Sequence, residues 1–313
     1  MNKVYENSLP AWLGCSIEGK QTITYPANVW YERTYQQLIG SVESPSECKS
    51  ITTRLIEDFL NYSSTRHIKG DLLSINLEEA EDFQQALDKL KAHYPIQYVL
   101  GYADFAGYRF HVNPNVLIPR PETEEMVAYI IKQCNTQRPR ILDIGTGSGC
   151  IAITLAKAFP DARVTGLDIS SSALSVARHN TEALKVHVDW RQHDLLEDVL
   201  PSEKEWNIIV SNPPYIPAEE KHMMAKRVID HEPHDALFVP QENALLFYNK
   251  IIKITHHHLV SGGLLYLEVH ENYAESIHKL LIDESLFTVK LHRDMQGKKR
   301  WIEAKKYTTI STN

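Results

Sequence analysis

The chain has 313 residues, of which 43% are hydrophobic and 23% are charged, and this ordinary globular composition excludes wholesale disorder. The length is sufficient for one large core and a smaller second domain. The formal net charge is −7, from 33 Lys and Arg residues against 40 Asp and Glu residues. A protein that wraps duplex nucleic acid usually carries the opposite sign, because phosphate neutralisation supplies most of the affinity. Direct duplex binding is therefore not expected.

The cysteines and the hydropathy pattern bear on the compartment. No two cysteines form a CxxC pair or show the spacing of a zinc site; they are Cys15, Cys48, Cys134 and Cys150. This usage favours a reduced cytoplasmic setting. No stretch approaches the roughly 18 apolar residues of a membrane span, and the N-terminus lacks a basic segment followed by an apolar run. We expect a cytoplasmic protein without a membrane partner.

Three adjacent histidines, His256-His257-His258, are the one pattern that suggests a metal. Successive side chains on a helix point in different directions, so the three rings cannot all face one ion. We therefore expect a solvated helix end there and no metal site.

The first third of the chain predicts a small helical domain. Residues 1–30 show no clear period and are interpreted as an irregular N-terminal extension. In residues 31–94 apolar side chains recur at helical spacing, as in Ile51, Leu55, Ile56, Phe59 and Leu60. The acidic turn Leu77-Glu78-Glu79 directly after Asn76 is typical of a helix start.

Residues 95–123 predict a hairpin followed by a stiff connector. Phe105 and Phe110 flank Gly107, which suggests a short hairpin. Pro114, Pro119 and Pro121 follow, and each fixes its own φ and restricts the preceding residue. The boundary between the two domains is placed here.

Residues 124–313 predict an α/β domain, because short apolar runs alternate with helical patterns. The predicted strands are 141–144, 164–168, 186–190, 208–211 and 264–269, with helices at 149–158, 171–181, 242–258 and 273–282. The last two runs, 287–291 and 300–304, have no helix between them and should pair as an antiparallel hairpin. The expected fold is a mostly parallel α/β sheet with that hairpin at its C-terminal end.

A glycine-rich turn follows the first of these strands, where Gly145-Thr146-Gly147-Ser148-Gly149 leads into a helix. Missing side chains let backbone N–H groups approach a ligand at a helix N-terminus. Asp168 lies nineteen residues after Gly149 and ends the next strand, where a carboxylate can bind ribose hydroxyls. The pattern predicts a nucleoside site.

The segment Asn212-Pro213-Pro214-Tyr215 follows the fourth strand, at the sheet edge where ligands bind in open α/β folds. A planar amide or aromatic amine is a poor nucleophile, because its lone pair is delocalised. The Asn212 oxygen and the Pro213 carbonyl can each accept one N–H of such a group and so orient it. Tyr215 offers a flat face for stacking, so the loop predicts transfer controlled by orientation and charge complementarity.

The order of these motifs resembles the class I methyltransferases. The glycine spacing is G-x-G-x-G rather than the G-x-G-x-x-G of dinucleotide folds, and His193-Asp194-Leu195 follows the third strand. The resemblance implies S-adenosyl-L-methionine as cofactor, with Asp194 accepting the adenine amino group and Leu195 packing beside the ring. It leaves two roles open for Asp143, which either orients the glycine loop or touches the ligand.

The chain is further similar to the HemK/PrmC family, the N5-glutamine methyltransferases of peptide chain release factors. The resemblance runs from about Pro95 to Lys305. It rests on the segments 95–101 (PIQYVLG), 116–124 (VLIPRPETE), 211–217 (SNPPYIP), Glu232-Pro233, Ala236-Leu237 and Leu267-Glu268. It departs at Val239-Pro240 and Val269-His270, where the family usually carries glycine.

The resemblance implies methylation of the glutamine in the Gly-Gly-Gln motif of release factors, with the helical domain 31–94 gripping the protein substrate. The implied catalytic residues are Asn212, Pro213 and Tyr215, which bind the substrate together with Pro214. The implied cofactor-binding residues are Gly145, Thr146, Gly147, Ser148, Gly149, Asp168, Asp194, Leu195 and Asn212.

Three alternatives remain at this point. An adenine-N6 nucleic-acid methyltransferase shares every one of these site residues, although the acidic charge and the LIPRPETE segment argue against it. A dinucleotide-dependent oxidoreductase conflicts with the glycine spacing and with NPPY. A non-catalytic adaptor with this fold conflicts with the complete set of site residues.

Overall fold

The computed structural model describes residues 22–63, 70–200, 205–239 and 243–308. The strands are β1 (Thr22–Pro26), β2 (Leu72–Asn76), β3 (Tyr102–Phe105), β4 (Tyr108–His111), β5 (Arg140–Ile144), β6 (Arg163–Asp168), β7 (Asp189–Gln192), β8 (Trp206–Ser211), β9 (Ile216–Pro217), β10 (Phe238–Val239), β11 (Leu259–Glu268), β12 (Phe287–Arg293) and β13 (Lys299–Lys306). The helices are α1 (Ala27–Leu38), α2 (Pro45–Phe59), α3 (Leu77–Lys91), α4 (Ile96–Leu100), α5 (Pro121–Gln133), α6 (Cys150–Ala158), α7 (Ser171–Leu184), α8 (Lys226–His231), α9 (His234–Leu237), α10 (Leu246–His258) and α11 (Ala274–Asp283), with a 3₁₀ helix at Ala218–Met223.

The chain divides into two compact units. The first comprises the chain up to Leu100 together with Lys226–His231, and the second comprises Gly101–Ala225 and the chain from Glu232 onward. The sequence places the boundary within residues 95–123 and assigns 124–313 to a single domain. The structural division falls within that segment, between Leu100 and Gly101, and it differs from the sequence analysis in assigning the helix α8 to the first unit.

The first unit packs helices α1, α2 and α3 around one apolar core, in which Trp30, Leu55 and Phe83 are fully buried. Helix α3 begins in a capping box: the Asn76 side chain accepts the Glu79 N–H at 2.9 Å, and the Glu79 carboxylate accepts the Asn76 N–H at 2.7 Å. Each bond satisfies a donor that the helix end leaves free. The helix start predicted at Asn76 is confirmed.

A two-stranded antiparallel sheet in the first unit was not predicted. β1 pairs with β2 from Thr22 opposite Asn76 to Pro26 opposite Leu72. The prediction of an irregular extension over residues 1–30 is therefore wrong from Thr22 onward, while residues 1–21 lie outside the described part. The all-helical prediction for 31–94 is wrong at β2. The two strands are about fifty residues apart in sequence, and neither is long enough to be recognised by alternation alone.

Helix α8 belongs to the first unit through contacts with residues far away in the sequence. The Arg227 guanidinium forms an ion pair with Glu47. The His231 ring lies 3.8 Å from the Tyr94 ring between centroids, and its Nε2 lies 3.1 Å from the carbonyl oxygen of Ala92. These partners are separated by well over a hundred residues, so periodicity does not predict the grouping.

The second unit is built on a seven-stranded sheet in the order β12-β13-β11-β8-β5-β6-β7. Strands β7, β6, β5, β8 and β11 run parallel to their neighbours in this order. β13 pairs antiparallel with β11 and with β12. The predicted mostly parallel sheet with a C-terminal antiparallel hairpin is confirmed.

Apolar side chains cover both faces of this sheet. Along β8, Ile208 and Val210 pack in one cluster with residues of α5 and α6. Ile209 packs in the other cluster with residues of α10 and α11. This alternation follows from the pleat of a strand, which sends successive side chains to opposite faces. It holds the carboxyl ends of the strands in fixed positions.

Two local features differ from the sequence expectation. The third strand is Asp189–Gln192 instead of 186–190, because α7 extends to Leu184 and ends at Lys185 in a left-handed conformation (φ 54°). Helix α5 begins at Pro121, inside the segment predicted as a connector, because proline fits the first position of a helix. The predicted hairpin between residues 95 and 123 is present as β3 and β4.

The prediction of a solvated helix end at the three histidines of α10 is wrong for His258, whereas His257 is exposed. His258 is buried, and the Nε2 of His256 lies 3.1 Å from a carboxylate oxygen of Glu284. Among the described residues, no group of three His, Cys, Asp or Glu side chains is arranged to hold a metal ion. None of the helices in this part of the chain combines the length and the apolar character needed to cross a membrane.

A glycine in the middle of β6 lets the Trp190 ring lie across the sheet. A Cβ at Gly166 would lie 2.2 Å from Cζ3 of Trp190, and one at Gly149 would lie 2.9 Å from Cη2 of the same ring. The indole Nε1 donates a hydrogen bond to Thr181 Oγ1 at 2.9 Å, so the ring cannot turn away without losing that bond. Close packing here therefore excludes any side chain at Gly166.

Gly166→Ala should lower the free energy of unfolding by roughly 1–3 kcal/mol, because the added methyl group overpacks the Trp190 ring. Denaturant titration followed by circular dichroism measures the change. Gly70→Ala is the control, since a Cβ there meets nothing within 4 Å, and its effect should stay within about 0.5 kcal/mol. An unchanged midpoint for Gly166→Ala would mean that the indole moves aside freely.

Candidate active site

The glycine loop between β5 and α6 is held by its own backbone. Gly145, Gly147 and Gly149 have φ angles of 73°, 53° and 79°, a region that glycine adopts without steric cost. The N–H groups of Gly145 and Thr146 donate to the Leu167 carbonyl, each at 2.9 Å, and the Gly149 N–H donates to the Thr146 carbonyl. The Gly147 N–H also has a partner within the protein, the Asp168 carboxylate, so the expectation that the loop N–H groups face a ligand is wrong for four of the five residues. Backbone conformation is what requires glycine here.

Asp168 ends β6 directly against this loop. Its Oδ2 accepts the Gly147 N–H at 2.8 Å, and its Oδ1 accepts the Ser170 N–H at 2.9 Å. Burial raises the pKa of Asp168 above its usual value, against the lowering effect of these N–H groups. Each carboxylate oxygen keeps a further lone pair for a hydroxyl group.

Asp143 lies in the interior beneath the loop. It has no exposed surface, and its Oδ2 accepts the Thr146 hydroxyl at 2.5 Å. Burial raises the pKa of Asp143 to about 7. A side chain without exposed surface cannot touch a ligand, so of its two open roles the structure supports orientation of the loop.

The segment after β7 returns to the end of β6. The backbone N–H of His193 donates to the Asp168 carbonyl oxygen at 2.9 Å. The next residue, Asp194, accepts a backbone N–H two residues ahead with its Oδ1 at 2.8 Å, and Leu195 is half-buried against the core. Ile169, which follows Asp168, is 56% exposed and adds apolar surface at this edge.

The Asn212-Pro213-Pro214-Tyr215 loop lies beside the glycine loop, because β8 and β5 are adjacent parallel strands. Ser211 Oγ donates to the Ile144 carbonyl oxygen at 2.7 Å where the two strands end. A Cβ on Gly145 would lie 4.0 Å from the Asn212 carbonyl oxygen. Pro213 is buried, and the other three residues of the loop are half-buried.

A hydrogen-bonded network supports this loop from below. Asn212 Nδ2 donates to Thr123 Oγ1 at 3.2 Å, and Thr123 Oγ1 donates to Glu268 Oε2 at 2.5 Å. The Tyr215 hydroxyl lies 3.4 Å from Glu268 Oε1. The Tyr248 hydroxyl donates to the backbone carbonyl of Glu268 at 3.1 Å. The network thus joins α5, α10 and the ends of β8 and β11.

Glu268 is the charged centre of that network. It is 1% exposed, and burial raises its pKa to about 7, against the lowering effects of the Thr123 hydroxyl and of the Arg300 charge. Burial also raises the pKa of Tyr215, and the neighbouring Glu268 carboxylate raises it further. His270, at one of the positions where the sequence departs from the resembled family, lies 5.7 Å from the Tyr215 ring between centroids.

The proline-rich segment before α5 is anchored by a second buried acid. The Arg120 guanidinium donates to both carboxylate oxygens of Glu232, at 2.7 and 2.8 Å, and the Ile118 N–H donates at 3.2 Å. Glu232 is 4% exposed. A bidentate charged pair of this kind fixes geometry as well as supplying energy, so it holds the segment that carries Thr123.

Comparison with known proteins identifies the family of this chain. The model of the methyltransferase small domain matches residues 123–237, and that of the PrmC N-terminal domain matches residues 34–101. A release factor glutamine methyltransferase of Bacteroides thetaiotaomicron is 38% identical over 269 residues, which cover 86% of this chain and 96% of that protein. The chain belongs to the release factor glutamine methyltransferase family. A member from Flavobacterium psychrophilum is 37% identical over 87% of this chain and 97% of its own length.

Among solved structures, a release factor-specific protein-(glutamine-N5) methyltransferase of Alicyclobacillus acidocaldarius is 30% identical. The match covers 63% of this chain and 99% of that one, with a TM-score of 0.39. Family membership and the order of the seven strands identify the second unit as a class I methyltransferase fold, as the sequence predicts.

The structure brings the predicted site residues of this family member to one edge of the sheet. Two residues of the supporting network, Thr123 and Glu268, were quoted only as part of the family resemblance and were given no role. Ile169 and Asn180 were missed entirely; the Asn180 side chain donates to the Ser148 carbonyl at 2.9 Å and so anchors the loop to α7. Periodicity does not indicate the contacts of Thr123, Glu268 and Asn180, because the partners of these residues are distant along the chain.

The buried acid Asp143 generates a pH prediction. Its pKa in the folded protein is raised to about 7, so it favours the folded state fully at pH values below its unfolded pKa, and this contribution is lost as pH rises through about 7. Asp143→Asn removes the titration but keeps an acceptor for Thr146. The variant should therefore gain stability relative to the wild type as pH rises from 5 to 7, with a slope of at most about 1.4 kcal/mol per pH unit.

Urea unfolding of both proteins at intervals between pH 5 and pH 8 measures that difference. The comparison between the two proteins cancels the other titrating groups, including Glu268. A constant difference across this range would contradict a raised pKa for Asp143.

Proposed function

We propose that the protein transfers a methyl group from S-adenosyl-L-methionine to the side-chain amide nitrogen (N5) of the glutamine in the Gly-Gly-Gln motif of peptide chain release factors. One observation carries the proposal: in a member of this family, the Asn212-Pro213-Pro214-Tyr215 loop lies beside the glycine loop at the carboxyl edge of the sheet. That edge is where open α/β sheets bind their ligands.

The residues at the end of β6 fit a nucleoside. Asp168 offers free lone pairs for two ribose hydroxyls, and Asp194 offers an acceptor for an adenine amino group. The exposed Ile169 and the half-buried Leu195 offer apolar surfaces for a base. The residues from Gly145 to Gly149 close the same edge beside Asn212. When bound, S-adenosyl-L-methionine supplies a methyl group activated by a sulfonium.

The NPPY loop would orient the glutamine amide. Asn212 Oδ1 and the Pro213 carbonyl each accept one N–H of the substrate, which fixes the NH₂ group and directs its lone pair toward the methyl group. Pro213 and Pro214 restrict the backbone, so the acceptors are held in place before the substrate arrives. Tyr215 packs beside the amide plane. Orientation of this kind accounts for a large part of many enzymatic rate enhancements.

We further propose that the first unit recognises the folded release factor. It has its own core and shares no residue with the cofactor edge described above. Binding energy from remote parts of a substrate can support orientation at the reacting centre. The expected setting is cytoplasmic, where release factors act.

An adenine-N6 nucleic-acid methyltransferase is the remaining alternative, since it would use the same loop. A methyl-transfer assay with tritiated cofactor, which offers a release factor and duplex DNA in parallel, separates the two functions. We expect incorporation into the release factor alone, at the Gly-Gly-Gln glutamine, as located by mass spectrometry. Labelled DNA with unlabelled release factor would reject the proposal.

Asn212→Ala removes an acceptor for the substrate amide and leaves one N–H of the bound amide without its partner. The expected loss is about 2–4 kcal/mol of transition-state stabilisation, or roughly 30- to 1000-fold in kcat/KM. Steady-state kinetics with intact release factor measures it, and calorimetric titration should show a much smaller change in cofactor affinity.

Asp168→Asn is the matched control for that experiment. It keeps one oxygen, which can accept the Gly147 N–H or the Ser170 N–H but not both, and it removes the charged acceptor for ribose. The cofactor KM should therefore rise while kcat at saturation changes modestly. Near-normal turnover by Asn212→Ala would contradict the proposal that Asn212 orients the substrate while Asp168 binds the cofactor. Equal changes of kcat and cofactor KM in both variants would contradict it as well.

The role of the first unit predicts a substrate preference. A short Gly-Gly-Gln peptide offers the same amide but few remote contacts, so kcat/KM for the intact factor should exceed that for the peptide by at least about 100-fold. Deleting residues 31–94 is a poor test, because it would remove Glu47 and Tyr94, the partners of α8. Equal kcat/KM for the peptide and the intact factor would leave the first unit without a recognition role.

A further inference from the structure

The Thr123 hydroxyl occupies a position between a buried carboxylate and the amide of the NPPY loop. It lies 2.5 Å from Glu268 Oε2 and 3.2 Å from Asn212 Nδ2. Thr123 and Glu268 are 2% and 1% exposed. The three side chains come from the first turn of α5, the end of β11 and the residue after β8. The hydroxyl is therefore a link between two groups that belong to different elements.

A hydroxyl has a single proton, and this fixes the direction of both bonds. An ionised carboxylate only accepts, so Thr123 must donate its proton to Glu268. The lone pairs of the same hydroxyl are then the atoms that face Asn212, and they require the NH₂ group of the amide. The Asn212 Oδ1 is consequently left to face away from Thr123.

We infer that Glu268, acting through Thr123, is a positioning residue that holds the Asn212 amide with its oxygen toward the substrate. This inference rests on the proposed role of Asn212 as an acceptor for the glutamine N–H. Glu268 touches neither substrate nor cofactor in this scheme. It determines which end of a nearly symmetric amide the loop presents, a choice that the sequence NPPY leaves open.

The direction of the relay depends on the charge of Glu268. Protonated Glu268 can donate to Thr123, and Thr123 then donates to the Asn212 oxygen. This requires the Asn212 amide to rotate by half a turn, so that its NH₂ group faces the NH₂ group of the substrate. Two donors facing each other cannot form a hydrogen bond. The relay therefore holds the productive orientation only while Glu268 is ionised.

The groups around Glu268 place this change near neutral pH. Burial raises its pKa to about 7, and the Glu122 carboxylate raises it as well. The Arg300 charge, the Thr123 hydroxyl and the Tyr215 hydroxyl oppose this increase. The further group in contact is the Tyr248 hydroxyl, which donates to the backbone carbonyl of Glu268.

The first test removes the relay hydroxyl. Thr123→Val keeps the volume of the side chain but has no hydroxyl to link Glu268 to the Asn212 amide. The amide then lacks a fixed orientation, so kcat with the release factor as substrate should fall about 10- to 100-fold. Thr123→Ser keeps the hydroxyl and should retain kcat within about threefold. The KM for S-adenosyl-L-methionine should change little in either variant. A loss in Thr123→Val that Thr123→Ser does not restore would indicate packing and overturn the inference.

The second test is a pH profile of kcat at saturating substrates. Wild-type kcat should fall roughly tenfold from pH 8 to pH 6, as the carboxylate fraction of a group with a pKa of about 7 does. Glu268→Gln should have a lower kcat than the wild type at pH 8, and its kcat should lack this decrease toward acid pH (the acid limb of the profile). Glu303→Gln is the matched control: Glu303 is also buried, but it accepts the Tyr129 hydroxyl instead of Thr123, so the limb should persist.

A third measurement does not depend on methyl transfer. The Asn212 side-chain NH₂ resonances are measured in asparagine-labelled protein and assigned by their absence from the spectrum of Asn212→Asp. They should shift with pH near 7 in the wild type and in Glu303→Gln. They should not shift in Thr123→Val or Glu268→Gln. If the wild type methylates no release factor but these resonances follow the expected pattern, the proposed function fails and the relay stands. The relay would be overturned if the wild-type resonances did not change with pH. It would also be overturned if they shifted equally in the wild type and in all three variants.

Discussion

Parallel pairing of β6, β5, β8 and β11 is the constraint on which the site depends. Parallel strands end at the same edge of a sheet, so the residue that follows each strand is delivered to one place. β5 delivers the glycine loop, β6 delivers Asp168, β8 delivers Asn212, and β11 ends in Glu268. No other part of the fold has to bring these groups together. The helices cover both faces of the sheet, and two of them also support its loops: Thr123 of α5 bonds to Asn212, and Asn180 of α7 bonds to the glycine loop.

Two buried acids fix the orientation of the loops at this edge of the sheet, and their burial lowers the stability of the folded protein. Asp143 and Glu268 both have pKa values raised to about 7 by burial, because taking a carboxylate out of water disfavours its charged form. Each acid accepts a threonine hydroxyl at 2.5 Å, and each threonine touches a functional loop. An apolar residue would pack there at least as well, but it would leave the glycine loop and the Asn212 amide without a fixed orientation.

Local chemistry explains which elements the sequence predicts. The capping residue Asn76, the glycines from Gly145 to Gly149 and the prolines of NPPY each act on their own backbone, so their effect is visible in a short window. The central strands β5, β6 and β8 were found to within a few residues because each is a mostly buried, largely apolar run. The pair β1 and β2 was missed because each strand depends on a partner about fifty residues away.

The sequence by itself determined the α/β class, the order of its motifs and the residues that follow each strand, since these depend on periodicity and on residue type. Only the tertiary structure decided what supports those residues. Thr123, Asn212 and Glu268 are up to 145 residues apart along the chain, and periodicity contains no information about such a meeting. The direction in which the Asn212 amide points follows from one proton on one hydroxyl, and that is a property of the folded arrangement alone.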